Sequence, residues 1–451
     1  MEKKRSSFTG RIGFVLAAAG SAVGLGNIWR FPYLAAKYGG GTFLIVYIIL
    51  AVTFGFALMV TEIAIGRKTG LSVVGAYKKL DKRFSALGWL AAAVPIIIFP
   101  YYCVIGGWVT KYASMFMTNQ MTTASQDGYF KGFISETWEP LGWFFLFIAL
   151  TALIVMLGVK GGIERASKIL MPILVVMTIG ICIFVICQPG ALDGVLYYFT
   201  PTLDGLNVNM ILAALGQLFY SMSLAMGIMI TYGSYMKKDV DIEKSTKQIE
   251  SFDIGIALLA GLMIVPSVFV FSGGDLSKLK AGPSLMFITL PQVFENMWAG
   301  QFIGALFFLL VLFAALTSSV SLMETIVSII TDKTKVNRRL VCLIVLVGAL
   351  LIGVPSSLGF GVWGDFTIMG MSILDFFDFI SNSVMMPIVA LFTCLLVGYF
   401  VGTKVIGDEV RLSSKFKRQK MYNVVIKYIA PVFILAILIS SVLNSLGIIK
   451  L

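Results

Sequence analysis

Eleven long apolar segments, separated by short polar ones, make up most of this 451-residue chain. An apolar run of about 18 or more residues can cross the hydrocarbon core of a bilayer as a helix. The runs lack strand alternation, and a helix satisfies its own backbone hydrogen bonds in lipid. We therefore predict an all-α membrane protein. Its eleven transmembrane helices, called segments 1 to 11, lie near residues 11–37, 41–66, 87–115, 141–158, 167–188, 207–236, 250–273, 300–331, 338–354, 367–401 and 424–448.

Basic residues are concentrated before segment 1 and after each even-numbered segment. The connection at residues 116–140, after segment 3, has one Lys against three acidic residues. Because Lys and Arg are enriched in cytoplasmic loops, this alternation predicts a cytoplasmic N-terminus and, after eleven crossings, an extracellular C-terminus. Residues 274–299 form a second long outer connection, and their apolar stretch at 283–294 is too short to span the bilayer.

The composition agrees with a membrane protein, since 58% of the residues are hydrophobic, only 13% are charged and the mean hydropathy is +0.92. A soluble domain carries about 25% charged residues. The net charge of +12 does not predict nucleic-acid binding, because the basic residues lie in short clusters between apolar runs. The chain has no His and no CxxC pair among its five Cys, so metalloenzyme and hydrolase chemistry lacks its usual side chains.

Segments 1 and 6 contain residues that a simple membrane helix would avoid. Segment 1 carries Gly20, Gly24 and Gly26 followed by Asn27, and segment 6 has a polar, glycine-containing stretch at 217–227. Glycine costs about 1 kcal/mol relative to Ala inside a helix. The spacing of the first two glycines also suits close helix packing. Because the two segments lie five apart, we favour interrupted helices at matching places of an inverted repeat, which is a transporter architecture.

Two further features place polar groups at membrane depth. Four hydroxyl side chains lie within residues 317–321 of segment 8. Singly, each would bond its own helix, but as a group they suit a hard cation. Asp253 lies just inside segment 7, and Glu62 lies near the inner end of segment 2. A carboxylate in a bilayer indicates function unless it is solvated at the headgroups or paired with a loop cation.

Residues 11–43, RIGFVLAAAGSAVGLGNIWRFPYLAAKYGGGTF, resemble the first helix of the neurotransmitter:sodium symporter family, especially of its bacterial sodium-coupled amino-acid transporters. The sequence GQLFYSMSLAMGIMITYGSYMKKD at 216–239 is similar to that family's broken sixth helix, and LFAALTSSVSLMET at 312–325 to its eighth. The resemblance implies a 5+5 inverted-repeat fold with broken helices 1 and 6 in a bacterial inner membrane. The parts of this single domain would be a first repeat at 11–188, a second at 207–401 and an additional helix at 424–448.

The resemblance also implies two sodium sites made only of oxygen ligands, the set that a hard cation prefers. The first site would use Ala22, Asn27, Ser221 and Asp253, together with the substrate carboxylate. The second site would use Gly20, Val23, Ala314, Thr317 and Ser318. No organic cofactor is implied. Asp253 stands where the family more commonly has Asn, so we expect it to supply a fixed negative charge that makes transport independent of chloride.

The implied substrate is a hydrophobic or aromatic L-amino acid. Its carboxylate would meet the backbone N–H groups near Leu25 and Gly26, helped by the hydroxyl of Tyr102. Family members that take amines have Asp at the place of Gly24, so Gly24 implies a substrate that brings its own carboxylate. Met226 suits a broad range of side chains because Met adapts to varied shapes. The implied substrate-binding residues are Ala22, Leu25, Gly26, Ile98, Tyr102, Tyr220, Ser221, Ser223, Met226, Ser318 and Leu322.

The resemblance implies two gates for alternating access, with Tyr220 as an aromatic lid over the substrate. The implied gate residues are Arg30 and Asp378 for the outer pair, Arg5 and Asp332 for the inner pair, and Tyr235 as a brace of the inner gate. Gly162 and Pro172 of segment 5 match a pattern that unwinds in similar bacterial transporters. Two opposed pairs suit alternating access because one can close while the other is solvated.

Three alternatives to a sodium-coupled symporter remain open. A non-transporting amino-acid sensor on the same fold would not need both gate pairs. A proton-coupled transporter would use Asp253 or Glu62, although the hydroxyl cluster of segment 8 favours sodium. A membrane enzyme would need a nucleophile–base pair, which the sequence does not offer. The sequence also leaves open whether two copies form a homodimer.

Overall fold

The computed structural model describes residues 7–202, 206–275, 282–334 and 336–445, so Arg5 of the predicted inner gate lies outside the described residues. Within these ranges the regular elements are helices, and nine of them are long and apolar enough to cross a membrane. A further crossing is a pair of helices bent by 54°. The all-helical membrane architecture predicted from the apolar segments is confirmed.

The membrane helices are labelled in chain order. The bent pair is α1 (Arg11–Ala22) and α2 (Gly26–Lys37). The others are α3 (Gly41–Thr69), α4 (Lys82–Met117), α5 (Trp138–Met156), α6 (Val159–Ile186), the short pair α7 (Val208–Ser221) and α8 (Ile228–Ser234), α9 (Ile242–Ser272), α10 (Gly300–Lys333), α11 (Arg338–Leu358), α12 (Ile373–Phe400) and α13 (Gln419–Leu443). Surface helices are Val73–Leu80, Met121–Ala124, Tyr129–Ser135, Ala191–Phe199, Leu285–Glu295 and Thr403–Arg411.

The predicted segments coincide with helices except at some boundaries. α4 extends beyond 87–115 at both ends, and α12 begins only at Ile373. α6 begins at Val159, eight residues before the predicted start at 167, because a left-handed φ of 83° at Gly158 separates it from α5. The hydropathy pattern does not identify these first turns as helical because they carry Lys160 and Arg165, basic residues that are typical of a cytoplasmic loop.

Both predicted interruptions are present. Between α1 and α2 the backbone is extended at Val23, with φ −74° and ψ 101°. Between α7 and α8, φ is positive at Ser223 (52°), Ala225 (60°) and Gly227 (73°). A left-handed conformation at alternate residues ends a right-handed helix, and it costs energy at the two residues that are not glycine. Each break therefore leaves backbone groups outside the helical ladder.

α3 and α8 pack backbone against backbone at two glycines. A Cβ at Gly66 would lie 1.9 Å from the carbonyl oxygen of Ile230. A Cβ at Gly233 would lie 2.4 Å from the carbonyl oxygen of Ile63. Any larger residue at either position would force the two helices apart, so the glycines are required for this contact.

A buried charged cluster joins the end of α3 to two connecting segments. The guanidinium of Arg67 pairs with Glu409 of the helix Thr403–Arg411, with an Nε–Oε1 distance of 2.9 Å. It also donates to the carbonyl of Val240, after α8, at 2.6 Å. The ammonium of Lys238 lies 2.7 Å from the same Glu409 carboxylate. Because Arg67 and Glu409 are almost completely buried, each charge depends on the other for compensation.

Candidate functional site

The two interruptions face each other and are joined by hydrogen bonds. The hydroxyl of Ser21, near the end of α1, donates to the hydroxyl of Ser223 at 3.1 Å, and Ser223 donates to the carbonyl of Ser21 at 2.9 Å. The side-chain amide of Gln217 on α7 donates to the carbonyl of Gly26 at 3.0 Å. The break between α1 and α2 and the break between α7 and α8 therefore share one polar region inside the helix bundle.

A buried cavity lies between the two breaks, with further walls from α4 and α10. All of the predicted substrate-binding residues line it, namely Ala22, Leu25, Gly26, Ile98, Tyr102, Tyr220, Ser221, Ser223, Met226, Ser318 and Leu322. Ser21, Gly24, Asn27 and Ile228 complete the lining. The cavity volume is about 30 Å³. The structure brings these residues together, while their role in binding stays a prediction.

Two glycines allow side chains to approach the backbone at the first break. A Cβ at Gly24 would lie 2.9 Å from the hydroxyl oxygen of Ser318 and 3.4 Å from that of Tyr102. A Cβ at Gly26 would lie 2.3 Å from the ring of Tyr220. The buried hydroxyl of Tyr102 lies beside the hydroxyl of Ser318 and the backbone N–H of Leu25, without a hydrogen bond of normal geometry to any residue that the structure describes. It is therefore free to bond a ligand beside the backbone of the break.

Asp253 is the fully buried centre of a polar cluster beside this cavity. Its Oδ1 accepts hydrogen bonds from the hydroxyl of Ser221 at 2.6 Å and from the amide of Asn27 at 2.8 Å. Its Oδ2 accepts one from the hydroxyl of Tyr47 at 3.2 Å. No Lys or Arg in the described ranges pairs with it, so Asp253 lies inside the bundle and not at the headgroups. Ala22, the remaining ligand predicted for the first sodium site, lines the adjoining cavity.

The residues predicted for the second sodium site meet where α10 passes the first break. The hydroxyl of Ser318 lies near the carbonyl oxygens of Gly20, Ser21 and Val23, at 3.4, 3.2 and 3.3 Å. Within α10, the hydroxyl of Thr317 lies 3.0 Å from the carbonyl oxygen of Ala314, about one turn earlier in the same helix. Carbonyl and hydroxyl oxygens at such a point are the ligands that a hard cation prefers.

The predicted outer gate is not a direct ion pair in this structure. The carboxylate of Asp378 accepts hydrogen bonds from the hydroxyl of Tyr101 at 3.0 Å and from the amide of Asn382 at 2.7 Å. Arg30 lies beside Gly216 of α7, and within the described ranges its guanidinium has no carboxylate within 4 Å. The two charged side chains of the pair therefore do not contact each other in this structure.

The inner gate is described in part, because Arg5 lies outside the described residues. The carboxylate of Asp332 accepts a hydrogen bond from the backbone N–H of Ser72 at 2.7 Å. The carbonyl of Tyr235 accepts one from the N–H of Phe8 at 3.2 Å, which holds the chain before α1 against the end of α8. The hydroxyl of Tyr235 donates to the carboxylate of Glu324 at 2.7 Å. Tyr235 thus connects the N-terminal segment to α10.

Three buried carboxylates have partners that sequence analysis missed. Glu62 does not pair with a loop cation, because its Oε1 accepts a hydrogen bond of 2.7 Å from the backbone N–H of Ala225 at the second break. Glu324 pairs with Arg338 of α11, and the backbone N–H of Thr9 donates to Glu164 of α6 at 3.0 Å. All three acids lie within or beside apolar runs, and that costly position is the signal that identifies them as important.

A family model described as the sodium:neurotransmitter symporter family matches residues 5–132 and 134–448. The chain belongs to this family. It is 34% identical over 456 residues to an uncharacterised sodium-dependent transporter of Bacillus subtilis, covering 100% of this chain and 99% of the relative. It is 32% identical over 459 residues to a second such transporter, of Haemophilus influenzae, covering 97% of this chain and 98% of the relative.

A crystal structure of MhsT in complex with L-phenylalanine matches with a TM-score of 0.86 and 37% identity, covering 97% of this chain and 100% of that one. The predicted family membership is confirmed. So is the prediction of a sodium-dependent membrane transporter rather than an enzyme, since the relatives of this symporter are transporters.

Proposed function

We propose that this symporter carries hydrophobic and aromatic L-amino acids together with sodium by alternating access. The observation that carries the proposal is the pair of helix breaks that face each other across one buried cavity, with an oxygen cluster on each side. Unpaired backbone groups at such breaks bind the charged ends of a zwitterion and its accompanying cations.

The cavity chemistry supports an amino acid as the substrate. The N–H groups near Leu25 and Gly26 and the unpartnered hydroxyl of Tyr102 suit a carboxylate, and carbonyls at the breaks suit an amine. Ile98, Met226 and other apolar residues line the rest of the cavity and suit a hydrophobic side chain. L-phenylalanine in the MhsT structure supports the aromatic part of this range.

Two sodium ions would accompany the substrate. The first would bind among Asn27, Ser221 and Asp253, where the carboxylate supplies the negative charge that offsets a buried cation. For this reason we expect transport to be independent of chloride. The second would bind between the carbonyls of the first break and the hydroxyls of Thr317 and Ser318.

The proposed topology counts α1 with α2, and α7 with α8, as one interrupted crossing each. Together with the nine longer helices they give eleven crossings, arranged as a 5+5 inverted repeat followed by α13. The distribution of Lys and Arg supports a cytoplasmic N-terminus and an extracellular C-terminus, and a bacterial inner membrane is the expected location.

Uptake into proteoliposomes tests the proposal. Labelled Leu, Phe, Tyr, Trp and Met should accumulate with an inward sodium gradient, and not with potassium, and gluconate should replace chloride without loss. Ser318→Ala should weaken sodium dependence, whereas Ser319→Ala is a matched control because the hydroxyl of Ser319 bonds Thr151 at 2.8 Å, away from the first break. A protein that binds amino acids but does not exchange labelled for unlabelled substrate across the vesicle membrane would be a sensor. Accumulation driven by a proton gradient without sodium would indicate proton coupling. Either result would overturn the proposal.

A further inference from the structure

A second, larger concavity opens on the membrane-facing side of the bundle. It holds about 620 Å³ between α3, α7 and the start of α13, and its walls include Ile49, Thr53, Ile211, Val424, Ile429 and Phe433. The facing helices α3 and α13 both carry a π-helical turn here, Ala51–Gly55 and Val425–Ile429. Such turns are rare and are often found at functional sites.

The interior of this groove suits an apolar chain. Apart from Lys420 at one end, Thr53 is the one polar residue among those that line it. The hydroxyl of Thr53 already donates to the carbonyl of Ile49 at 2.6 Å, so the groove wall offers no unsatisfied side-chain donor. Ile49 and Val424 are exposed although both face the groove. A hydrocarbon chain covers such a surface without leaving a polar group unpaired.

The end of the groove at Lys420 is strongly basic. Lys415, Lys417, Arg418 and Lys420 lie within six residues, and the nearby acid Glu243 accepts a hydrogen bond from the backbone N–H of Lys417 at 2.7 Å. The ammonium of Lys420 is exposed, and no carboxylate of the described ranges pairs with it.

Arg418 is fixed at the rim of the groove. Its guanidinium lies 4.9 Å from the ring centroid of Phe56 and donates to the carbonyl of Val52 at 3.2 Å, a carbonyl within the π-helical turn of α3. Two positive charges therefore lie at the groove mouth, that of Arg418, which is fixed on the rim, and that of Lys420, which is exposed on the lining. A headgroup that bears negative charge complements this end of the groove.

We propose that this groove is a binding site for one anionic phospholipid of the cytoplasmic leaflet. An acyl chain would lie along α3 and α13, and the headgroup phosphate would contact Lys420 beside Arg418. The leaflet follows from the proposed topology, in which the basic segment before α13 is cytoplasmic. The acyl chain would contact α3 and also α7, the first half of the interrupted sixth crossing, so the lipid would stabilise the bundle next to the transport site.

Lipid binding to the purified full chain tests the site without reference to transport. Phosphatidylglycerol should remain bound in native mass spectrometry and raise the melting temperature more than phosphatidylcholine with the same acyl chains. Lys420→Gln should weaken phosphatidylglycerol binding about fivefold, the equivalent of about 1 kcal/mol per basic residue at a membrane surface. Lys404→Gln, which removes an exposed Lys of the same cytoplasmic region, should leave it unchanged.

A second pair of variants tests the groove itself. Val424→Trp fills it and should reduce binding of the lipid, whereas Leu435→Trp, at another exposed position of α13 outside the groove, should not. Equal binding of the two lipids to the unmodified protein, or equal effects of Lys420→Gln and Lys404→Gln, would overturn the proposal. A third result would also overturn it: phosphatidylglycerol fails to bind, and the unmodified protein is a dimer that Val424→Trp dissociates. The groove would then be an interface between two copies of the chain. Failure of amino-acid uptake would leave these binding results unaffected.

Discussion

Asp253→Asn is the substitution that tests the sodium chemistry most directly. Asn has nearly the same shape, and its oxygen can still accept hydrogen bonds from Ser221 and Asn27, which both bond Oδ1 of Asp253. The hydroxyl of Tyr47 can rotate to accept from the new amide, since it faces the other oxygen. The variant therefore keeps the local packing and loses only the charge, so we expect its free energy of unfolding to change by less than about 1 kcal/mol.

The lost charge sets the expected effect on sodium. A cation bound among Asn27, Ser221 and Asp253 would lie beside this carboxylate, a few ångströms from the centre of its charge. At about 5 Å and an effective dielectric constant of about 20, two opposite unit charges attract each other by about 3 kcal/mol. The amide dipole of Asn recovers part of this energy. We therefore expect a loss of about 2 kcal/mol, which corresponds to a sodium affinity about thirtyfold weaker.

The assay is the sodium dependence of amino-acid uptake in proteoliposomes, with sodium-induced thermal stabilisation of the purified protein as a second measurement. Asp193→Asn is the control, because it makes the same change at an exposed surface position. Chloride should restore part of the lost sodium affinity in Asp253→Asn and have no effect on the unmodified protein. A folded variant whose half-saturating sodium concentration shifts by less than about threefold, under about 0.7 kcal/mol, would refute the assigned role of Asp253.

Three further substitutions test other contacts. Glu409→Ala leaves the guanidinium of Arg67 buried without a carboxylate, so thermal unfolding should show that the free energy of unfolding falls by about 3–5 kcal/mol. An equal fall in Asp408→Ala, which removes the neighbouring exposed acid, would contradict this. Gly24→Ala places a methyl carbon 2.9 Å from the hydroxyl oxygen of Ser318, so amino-acid uptake should fall at least tenfold while the protein stays folded. Normal uptake would show that the break tolerates a side chain at this position. Tyr102→Phe should raise the half-saturating concentration of amino acids about tenfold, for a lost charge-assisted hydrogen bond of about 1.5 kcal/mol, and an unchanged value would remove the hydroxyl from the carboxylate site.

Hydropathy located the membrane helices because the length and polarity of a run are local properties of the sequence. It also located the two interruptions, since glycines and polar residues at the middle of segments 1 and 6 conflict with an uninterrupted helix. It misjudged the start of α6, where Lys160 and Arg165 lie within the helix next to the left-handed Gly158. A charge pattern indicates a loop but does not specify the residue at which the chain turns.

The polar contacts of the site could be predicted only where the resemblance supplied them. The resemblance grouped Asn27 with Asp253, but no local pattern shows that Glu62 bonds the backbone of Ala225, because 163 residues separate them. It likewise paired Arg30 with Asp378, whereas the direct partners of that carboxylate are Tyr101 and Asn382. Such choices depend on small shifts between packed helices, which tertiary structure decides.

The glycine contacts between α3 and α8 restrict how the transporter can move. Two helices whose backbones touch at Gly66 and Gly233 have no layer of side chains that could slide or repack. The hydrogen bond from the N–H of Ala225, within the second break, to Glu62 of α3 adds a third point of attachment. We therefore expect α3 and α8 to move as one rigid body during transport. The hinge between α7 and α8 then lies before Ala225, at residues 222–224, and a cross-link between α3 and α8 should leave transport intact.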